Sequence, residues 1–166
     1  MLKKIIWTVS LIILAAAPAF AAKPADINNL PQAEFLWHRG PDKSWEVNFN
    51  DAVSKAKEQN KKVFMLATGS DWCPPCKMLK AKVLSNPEFK QFADKKFVYL
   101  WLDSPRQARL PENQIIHNHI VKNNFPFGNG VPSVVIIDPA SKKVIGKISG
   151  YKPLDAYINT LKQYVK

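Results

Sequence analysis

The sequence predicts an α/β fold in which a mixed sheet is flanked by helices. Apolar runs bounded by charged or turn residues recur along the chain, and segments with helical spacing of apolar residues lie between them. The last two runs are joined by a short turn. Such runs are typical of strands buried on both faces. Strand–helix–strand units followed by a hairpin and a final helix give a mixed sheet covered on both sides.

The predicted strands alternate with helices along the chain. They comprise residues 62–68, 97–102, 133–138 and 143–149. The first three contain continuous apolar stretches, which favour central positions in the sheet. The turn at 139–142 is short enough to join the last two strands as a hairpin.

The predicted helices follow apolar spacing and N-cap signals. The first has Asn50 as its N-cap, buries Ala52, Val53 and Ala56, and ends near Asn60. The second spans 74–84, with Met78, Leu79 and Val83 on its inner face. The third is short and has Pro87 near its first position.

The fourth predicted helix runs from Pro111 to Asn123-Asn124 and contains four branched apolar residues, Ile115, Ile116, Ile120 and Val121. The last helix begins at Pro153.

The N-terminus is expected to be a cleaved signal peptide over residues 1–21. Lys3 and Lys4 precede the apolar stretch 5–17, and Ala19-Phe20-Ala21 provides a small-x-small cleavage site. The stretch is short for a membrane span, so a retained anchor is the weaker alternative. Residues 22–44 then form a lead-in and 45–166 a single domain. We expect the mature protein in the periplasm, without stable membrane insertion.

Composition and charge exclude several classes of protein. Apolar residues make up 46% of the chain and charged residues 22%, which argues against wholesale disorder. The 24 Lys and Arg residues against 13 Asp and Glu give a net charge of +11. The lysines are scattered along helices and turns, which favours solvated faces and no nucleic-acid partner. An acidic partner or an anionic membrane surface is the alternative.

The two cysteines, Cys73 and Cys76, are the strongest chemical signal. They can bond with each other, bind a ligand or react with other molecules. A disulfide between them closes a very short ring, which stabilises a fold little, so reversible chemistry is favoured over a passive staple. A metal site is the other alternative, but His117 and His119 are two residues apart and point away from each other on a helix.

The position of the pair favours a reactive thiolate. Cys73 is predicted to be the N-cap of the helix, with Pro74 and Pro75 as its first two residues. Neither proline has an amide hydrogen, so the Cys76 N–H is the donor left for the Cys73 sulfur. The helix dipole lowers the pKa of a thiol at this end. Cys76 is expected to be less exposed than Cys73.

These residues are part of a wider pattern that resembles the thioredoxin superfamily. The run Trp72-Cys73-Pro74-Pro75-Cys76-Lys77 follows an apolar strand, and Gly130-Val131-Pro132-Ser133 precedes a later one. The runs 68–73 and 85–89 are most similar to exported thioredoxin-like domains, including the C-terminal domain of DsbD. The likeness covers about residues 45–165.

The resemblance implies a role for each matching residue. Cys73 is the attacking thiolate and Cys76 the resolving thiol. Trp72 shields one side of the site, and Pro74 and Pro75 lie between the cysteines. The Val131-Pro132 peptide is cis and faces the disulfide, so that the Val131 backbone pairs with a substrate strand. No cofactor or metal is implied, and the partners are protein thiols and disulfides, with a membrane electron donor as a further candidate.

Three departures from the pattern bear on function. Pro74-Pro75 replaces the Gly-Pro of thioredoxin, and Ala67 stands where thioredoxin has a buried acid. Asp71 is the nearest acid, on an exposed turn. The long connection at about 104–130 inserts a helix near the active face. The expected function is a thiol–disulfide oxidoreductase, with reductase favoured because similar domains relay electrons from a membrane donor. The alternative is a non-catalytic binding module such as a copper chaperone.

Overall fold

The computed structural model describes residues 25–31 and 40–165. The predicted signal peptide, residues 1–21, lies outside the described residues, as do residues 32–39 of the predicted lead-in. Within the described ranges, no helix is both long enough and apolar enough to cross a membrane.

The described elements alternate between strands and helices, as predicted. The strands are β1 (Trp45–Glu46), β2 (Lys62–Thr68), β3 (Phe97–Asp103), β4 (Ser133–Ile137) and β5 (Val144–Ser149). The helices are α1 (Phe49–Glu58), α2 (Pro74–Leu79), α3 (Pro87–Ala93), α4 (Glu112–Asn124) and α5 (Leu154–Lys162). Helix α2 continues into a π-helical turn over Lys80–Leu84.

The strands form one mixed sheet in the order β1-β3-β2-β4-β5. Strand β3 pairs in parallel with β1 and β2, and β4 pairs antiparallel with β2 and β5. The mixed α/β sheet predicted from the sequence is therefore confirmed. Strand β1 was not predicted, because two residues are too few to show a hydrophobic period.

Alternate residues of the central strands supply two apolar layers. Phe64 and Leu66 of β2 pack with residues of α3 and α5, including Phe89 and Tyr157. The opposite face, which includes Met65, packs with residues of α1 and α4. Each large side chain buried in these layers contributes about 1.5–3 kcal/mol. The sheet therefore lies between helices on both of its faces.

Helix α1 begins two residues earlier than expected. Asn48, not Asn50, is its N-cap, because the Asn48 side-chain oxygen accepts hydrogen bonds from the N–H groups of Asn50 and Asp51. In helix α2, Leu79 is buried as predicted, but Met78 is 44% exposed, so its predicted place on the inner face is wrong.

Helix α4 has its predicted bounds, and its buried face combines Ile120 and Val121 with polar side chains. Ile115 and Ile116 are 54% and 46% exposed, whereas Gln114, His117 and Asn118 are buried. Two of these polar side chains have partners there: His117 Nε2 accepts a hydrogen bond from the Phe49 N–H, and Asn118 Nδ2 donates to the backbone oxygen of Asp103. The side-chain oxygen of Gln114 has no hydrogen-bond partner among the described residues. The bonds of His117 and Asn118 offset the cost of desolvating these two side chains.

Candidate active site

The two cysteines lie at the junction between β2 and α2. Strand β2 ends at Thr68, and the turn 69–72 leads to Cys73, which is the N-cap of α2 as predicted. Cys73 and Cys76 form a disulfide, with their Cα atoms 5.2 Å apart. One helical turn therefore brings the pair within bonding distance.

The Cys73 sulfur accepts a hydrogen bond from the backbone of α2. The Cys76 N–H lies 3.2 Å from Cys73 Sγ. Pro74 and Pro75 occupy the two intervening positions and have no N–H to offer. This donor and the positive end of the helix dipole both favour negative charge on the Cys73 sulfur.

Both cysteines are buried in the disulfide form. Cys73 is 3% exposed and Cys76 is 4% exposed, so the expectation that Cys76 is the less exposed residue is wrong. The backbone carbonyl oxygen of Val131 lies 3.5 Å from Cys73 Sγ and covers it on that side. The two sulfurs therefore differ in their hydrogen-bond environment and not in their burial.

The segment before β4 lies against the disulfide, as the resemblance implied. The Val131–Pro132 peptide is cis, and its Val131 carbonyl is the group that contacts Cys73 Sγ. The carbonyl of Pro132 accepts a hydrogen bond from the Gly150 N–H, which ties this segment to the end of β5. In the described part of the chain, the Val131 N–H has no hydrogen-bond partner.

Trp72 is fixed between the turn and the connection that follows β3. Its indole N–H donates to the Ser104 carbonyl at 2.8 Å, and the Arg106 guanidinium lies 4.0 Å from the ring centroid. A Cβ atom at Gly69 would meet the indole at 2.4 Å, so the close approach of the ring requires glycine there.

Two acidic residues, Asp71 and Asp103, join the turn 69–72 to the connection that follows β3. This role was not predicted for them from the sequence. The Asp71 carboxylate accepts hydrogen bonds from the N–H groups of Arg106, Gln107 and Ala108. These donors, that of Arg106 above all, hold the pKa of the Asp71 carboxyl below its usual range.

Asp103, at the end of β3, makes the second link. Its carboxylate accepts hydrogen bonds from the N–H and hydroxyl of Ser70 and from the N–H of Ser104. The sequence shows that Asp71 lies in a turn and that Asp103 ends a strand. It does not show their partners Arg106 and Ser70, which lie more than thirty residues away along the chain. Only the fold brings them together.

The buried position six residues before Cys73 is apolar. Ala67 is buried and pairs in register with Leu102 and Ser133. Asp71 is engaged with the backbone of the connection, as described above, so it does not replace the missing acid. The structure therefore has an apolar side chain, Ala67, at the buried position where thioredoxin has an acid.

The two helix α4 histidines are engaged away from the cysteine pair. His117 is buried: its Nε2 accepts from the Phe49 N–H and its Nδ1 contacts Asn118 Oδ1. His119 is exposed and contacts the Asn123 side chain. Among residues 25–31 and 40–165, no group of three or more His, Cys, Asp or Glu residues is placed to hold a metal ion.

Known proteins share this sequence pattern. The family model described as thioredoxin-like matches residues 44–139. The disulfide bond reductase DsbH of Chlamydia pneumoniae is 30% identical over 124 residues, which cover 74% of this chain and 72% of DsbH. The thioredoxin-related protein DsbJ of the same organism is 26% identical over 117 residues, which cover 70% of this chain but only 33% of DsbJ.

Solved structures agree with the sequence relationships. The structure of a DsbH oxidoreductase superimposes with a TM-score of 0.67 at 27% identity, covering 78% of this chain and 92% of that one. The oxidised C-terminal domain of DsbD from Neisseria meningitidis gives a TM-score of 0.50 at 25% identity, covering 69% and 90%. The chain therefore belongs to the thioredoxin-like family and is a thiol–disulfide oxidoreductase.

Proposed function

We propose that this protein is an exported reductase of protein disulfides, with Cys73 as its nucleophile and Cys76 as its resolving thiol. The observation that carries the proposal is the Cys73–Cys76 disulfide at the start of α2, with Cys73 Sγ beside the Val131 carbonyl of the cis peptide. This arrangement combines a stabilised thiolate with a backbone segment that a substrate can pair with.

The reaction begins from the reduced dithiol. The Cys73 thiolate attacks one sulfur of a substrate disulfide, forms a mixed disulfide and releases the other substrate sulfur as a thiolate, which takes up a proton. The Cys76 thiolate then attacks Cys73 Sγ and releases the second substrate thiol. Two electrons pass to the substrate, and the Cys73–Cys76 disulfide is the product. A dithiol donor must reduce it again.

Differences in hydrogen bonding support the two proposed roles. Cys73 Sγ accepts the Cys76 N–H at 3.2 Å, so negative charge is stabilised on Cys73. Cys76 lies within the first turn of α2, where its own sulfur is not at the helix cap. Cys73 is therefore the better nucleophile at neutral pH, and Cys76 acts second.

The Val131 backbone supplies the place where a substrate binds. Its N–H has no hydrogen-bond partner within the described residues, and its carbonyl lies 3.5 Å from Cys73 Sγ. An extended substrate segment can pair with these groups as an added strand. Trp72 borders the cysteines on the side of the connection, where Ser104 and Arg106 hold its ring.

The relatives support the proposed direction of electron flow. DsbH is named a disulfide bond reductase, and the DsbD domain is a second structural relative. A membrane protein that delivers electrons to exported thioredoxin-like domains is the donor we propose. The equilibrium potential measured against glutathione should lie near the thioredoxin value of about −270 mV; a value near about −120 mV would instead identify an oxidant.

Export rests on the N-terminal pattern of the sequence. Lys3 and Lys4, the apolar stretch 5–17 and Ala19-Phe20-Ala21 form the three parts of a secretory signal. Mass spectrometry of the protein recovered from the periplasm of its host should give a mature chain that starts after Ala21. Recovery of a chain that begins at Met1 would refute cleavage.

Two single-cysteine variants test the assigned roles. Cys73→Ser should abolish reduction of insulin, because it removes the attacking sulfur. Cys76→Ser should retain the attack and accumulate a mixed disulfide with insulin, visible on a non-reducing gel and lost on adding dithiothreitol. Insulin reduction that persists in Cys73→Ser, or a mixed disulfide that forms only through Cys76, would contradict the assignment.

A further inference from the structure

A basic pocket lies between the connection after β3 and helix α4. Its volume is about 510 Å³. The residues that matter here are three cations at its edge, two apolar side chains and one acid: Arg106, Arg109, Lys122, Leu110, Ile115 and Asp103. Apart from Arg106, which holds the Trp72 ring, none of these residues was given a part in the reaction described above.

The positive charges of the pocket are available to an anion. The ion pairs found among residues 25–31 and 40–165 involve other lysines, and neither Arg106, Arg109 nor Lys122 has a carboxylate within ion-pair distance. The one acid in the lining, Asp103, already accepts hydrogen bonds from Ser70 and Ser104. Asp103 offsets part of the charge of Lys122, whose ammonium also donates to the Ser104 hydroxyl, but the three cations outnumber this acid, so the pocket keeps a net positive charge.

The same pocket exposes apolar surface. Helix α4 buries polar side chains and turns Ile115 outwards, where it is 54% exposed and lines the pocket with the half-buried Leu110. An exposed isoleucine beside unpaired arginines suits a ligand with both an apolar group and a carboxylate.

The pocket also shares residues with the surroundings of the disulfide. Ser104 lines it, and the Ser104 carbonyl accepts the indole N–H of Trp72. Arg106 lines it as well and stacks on the same indole ring. Trp72 directly precedes Cys73, so a polypeptide whose disulfide reaches Cys73 can extend across Trp72 into the pocket.

We propose that this pocket binds an acidic segment of the substrate polypeptide, with at least one Asp or Glu and one apolar residue close to the disulfide that Cys73 attacks. The inference rests on the proposed function and narrows its substrate class. The charge complementarity of Arg106, Arg109 and Lys122 selects the carboxylate, and Ile115 and Leu110 contact the apolar residue.

Three synthetic peptides with one identical disulfide test the inference. Beside a shared leucine, the first carries glutamates, the second glutamines and the third lysines. Each peptide reacts with the pre-reduced protein, and its rate is divided by its rate with dithiothreitol to remove intrinsic differences in reactivity. The wild type should prefer the glutamate peptide over the glutamine peptide by about two- to fivefold per engaged charge, and added salt should weaken the preference.

A charge-matched pair of variants localises the effect. Arg109→Glu should abolish the preference for glutamate, because it leaves the two remaining cations of the pocket, Arg106 and Lys122, balanced by two acids. Lys57→Glu changes the net charge equally on the exposed side of α1 and should keep the wild-type preference. Circular dichroism checks that both variants are folded.

The outcomes separate this inference from the proposed function. Equal normalised rates for all three peptides, or an equal loss of preference in both variants, would overturn the acidic-segment proposal and leave the reductase activity standing. No reaction with any peptide would overturn the proposed function and this inference together. A third outcome is that the peptide rates are equal, the protein binds anionic phospholipid vesicles, and Arg109→Glu abolishes this binding. That result would assign the pocket to a membrane surface and overturn the proposal.

Discussion

Gly69 determines how closely the Trp72 indole can approach the turn before the cysteines. A Cβ atom at position 69 would lie 2.4 Å from the ring, well inside van der Waals contact. Gly69→Ala should therefore displace the indole, weaken its hydrogen bond to the Ser104 carbonyl and lower the free energy of unfolding by about 1–3 kcal/mol. Urea denaturation monitored by tryptophan fluorescence measures the loss of stability.

A second glycine provides the control for this substitution. Gly130 precedes the cis peptide, and a Cβ atom there would meet nothing within 4 Å. Gly130→Ala should change the free energy of unfolding by less than about 0.5 kcal/mol. Equal losses of unfolding free energy in the two variants would show that the contact with Trp72 is not the reason why glycine is needed at position 69.

His117 couples stability to pH through one buried hydrogen bond. Its Nε2 accepts from the Phe49 N–H, so this nitrogen carries no proton in the fold, and burial lowers the pKa of the imidazole. The unfolded chain binds a proton below about pH 6.5 that the folded chain does not. Stability should be complete above that pH and fall below it, with a slope approaching about 1.4 kcal/mol per pH unit.

Two histidine variants check this prediction by urea denaturation at several pH values between 7.5 and 5. His117→Gln should remove most of the slope, because the glutamine oxygen can accept the Phe49 N–H without titrating. His119→Gln, on the exposed side of α4, should leave it intact. A slope that survives in His117→Gln would assign the pH dependence to other groups.

Helix α4 shows that the pattern of apolar residues can predict where a helix begins and ends without predicting which side chains it buries. Its bounds could be predicted, because Pro111 and Asn124 mark its ends. Its inner face could not, because the partners of His117 and Asn118, namely the Phe49 N–H and the Asp103 carbonyl, come from other elements. The apolar residues along this helix do not by themselves show that His117 and Asn118 are buried while Ile115 and Ile116 are exposed.

The link between the cysteine turn and the connection depends on Asp71. Its carboxylate accepts three consecutive backbone N–H groups, those of residues 106–108. Asp71→Ala should release this segment and with it the position of Arg106 on the Trp72 ring. Amide hydrogen exchange at residues 106–108 should accelerate by at least about tenfold, as expected when exposed backbone loses its hydrogen-bond acceptors.

The control for Asp71→Ala is a carboxylate that makes no such bridge. Asp155 is exposed in the first turn of α5, and Asp155→Ala should leave exchange at residues 106–108 unchanged. Wild-type exchange in Asp71→Ala would mean that other contacts, such as the Ser104 carbonyl with Trp72, suffice to hold the connection.

For the molecule as a whole, the sequence pattern and the structure agree on the framework of the site. Strands β2 to β5 and the N-cap position of Cys73 could be predicted, because apolar runs and cysteine spacing are local signals, and the resemblance to thioredoxins implied the cis Val131–Pro132 peptide. The equal burial of the two sulfurs and the carboxylate bridges of Asp71 and Asp103 could not. They depend on segments that meet only after folding.

The Cys73 thiol should lose its proton more readily than a free cysteine, because α2 begins there. The Cys76 N–H and the helix dipole favour the resulting negative charge, whereas burial of the sulfur opposes it. The charge must exist before the thiolate can attack a substrate disulfide, so the proposed reaction depends on which of these effects is larger.

The pH dependence of alkylation by iodoacetamide tests this balance directly in the Cys76→Ser variant, whose one thiol is Cys73. The midpoint of the rate profile reports the pKa of Cys73 independently of how fast the reagent reaches it. We expect a midpoint clearly below the value of about 8.5 for a free cysteine, and a higher midpoint for Cys76 in Cys73→Ser. A Cys73 midpoint at or above about 8.5, or the reverse order of the two, would contradict the account.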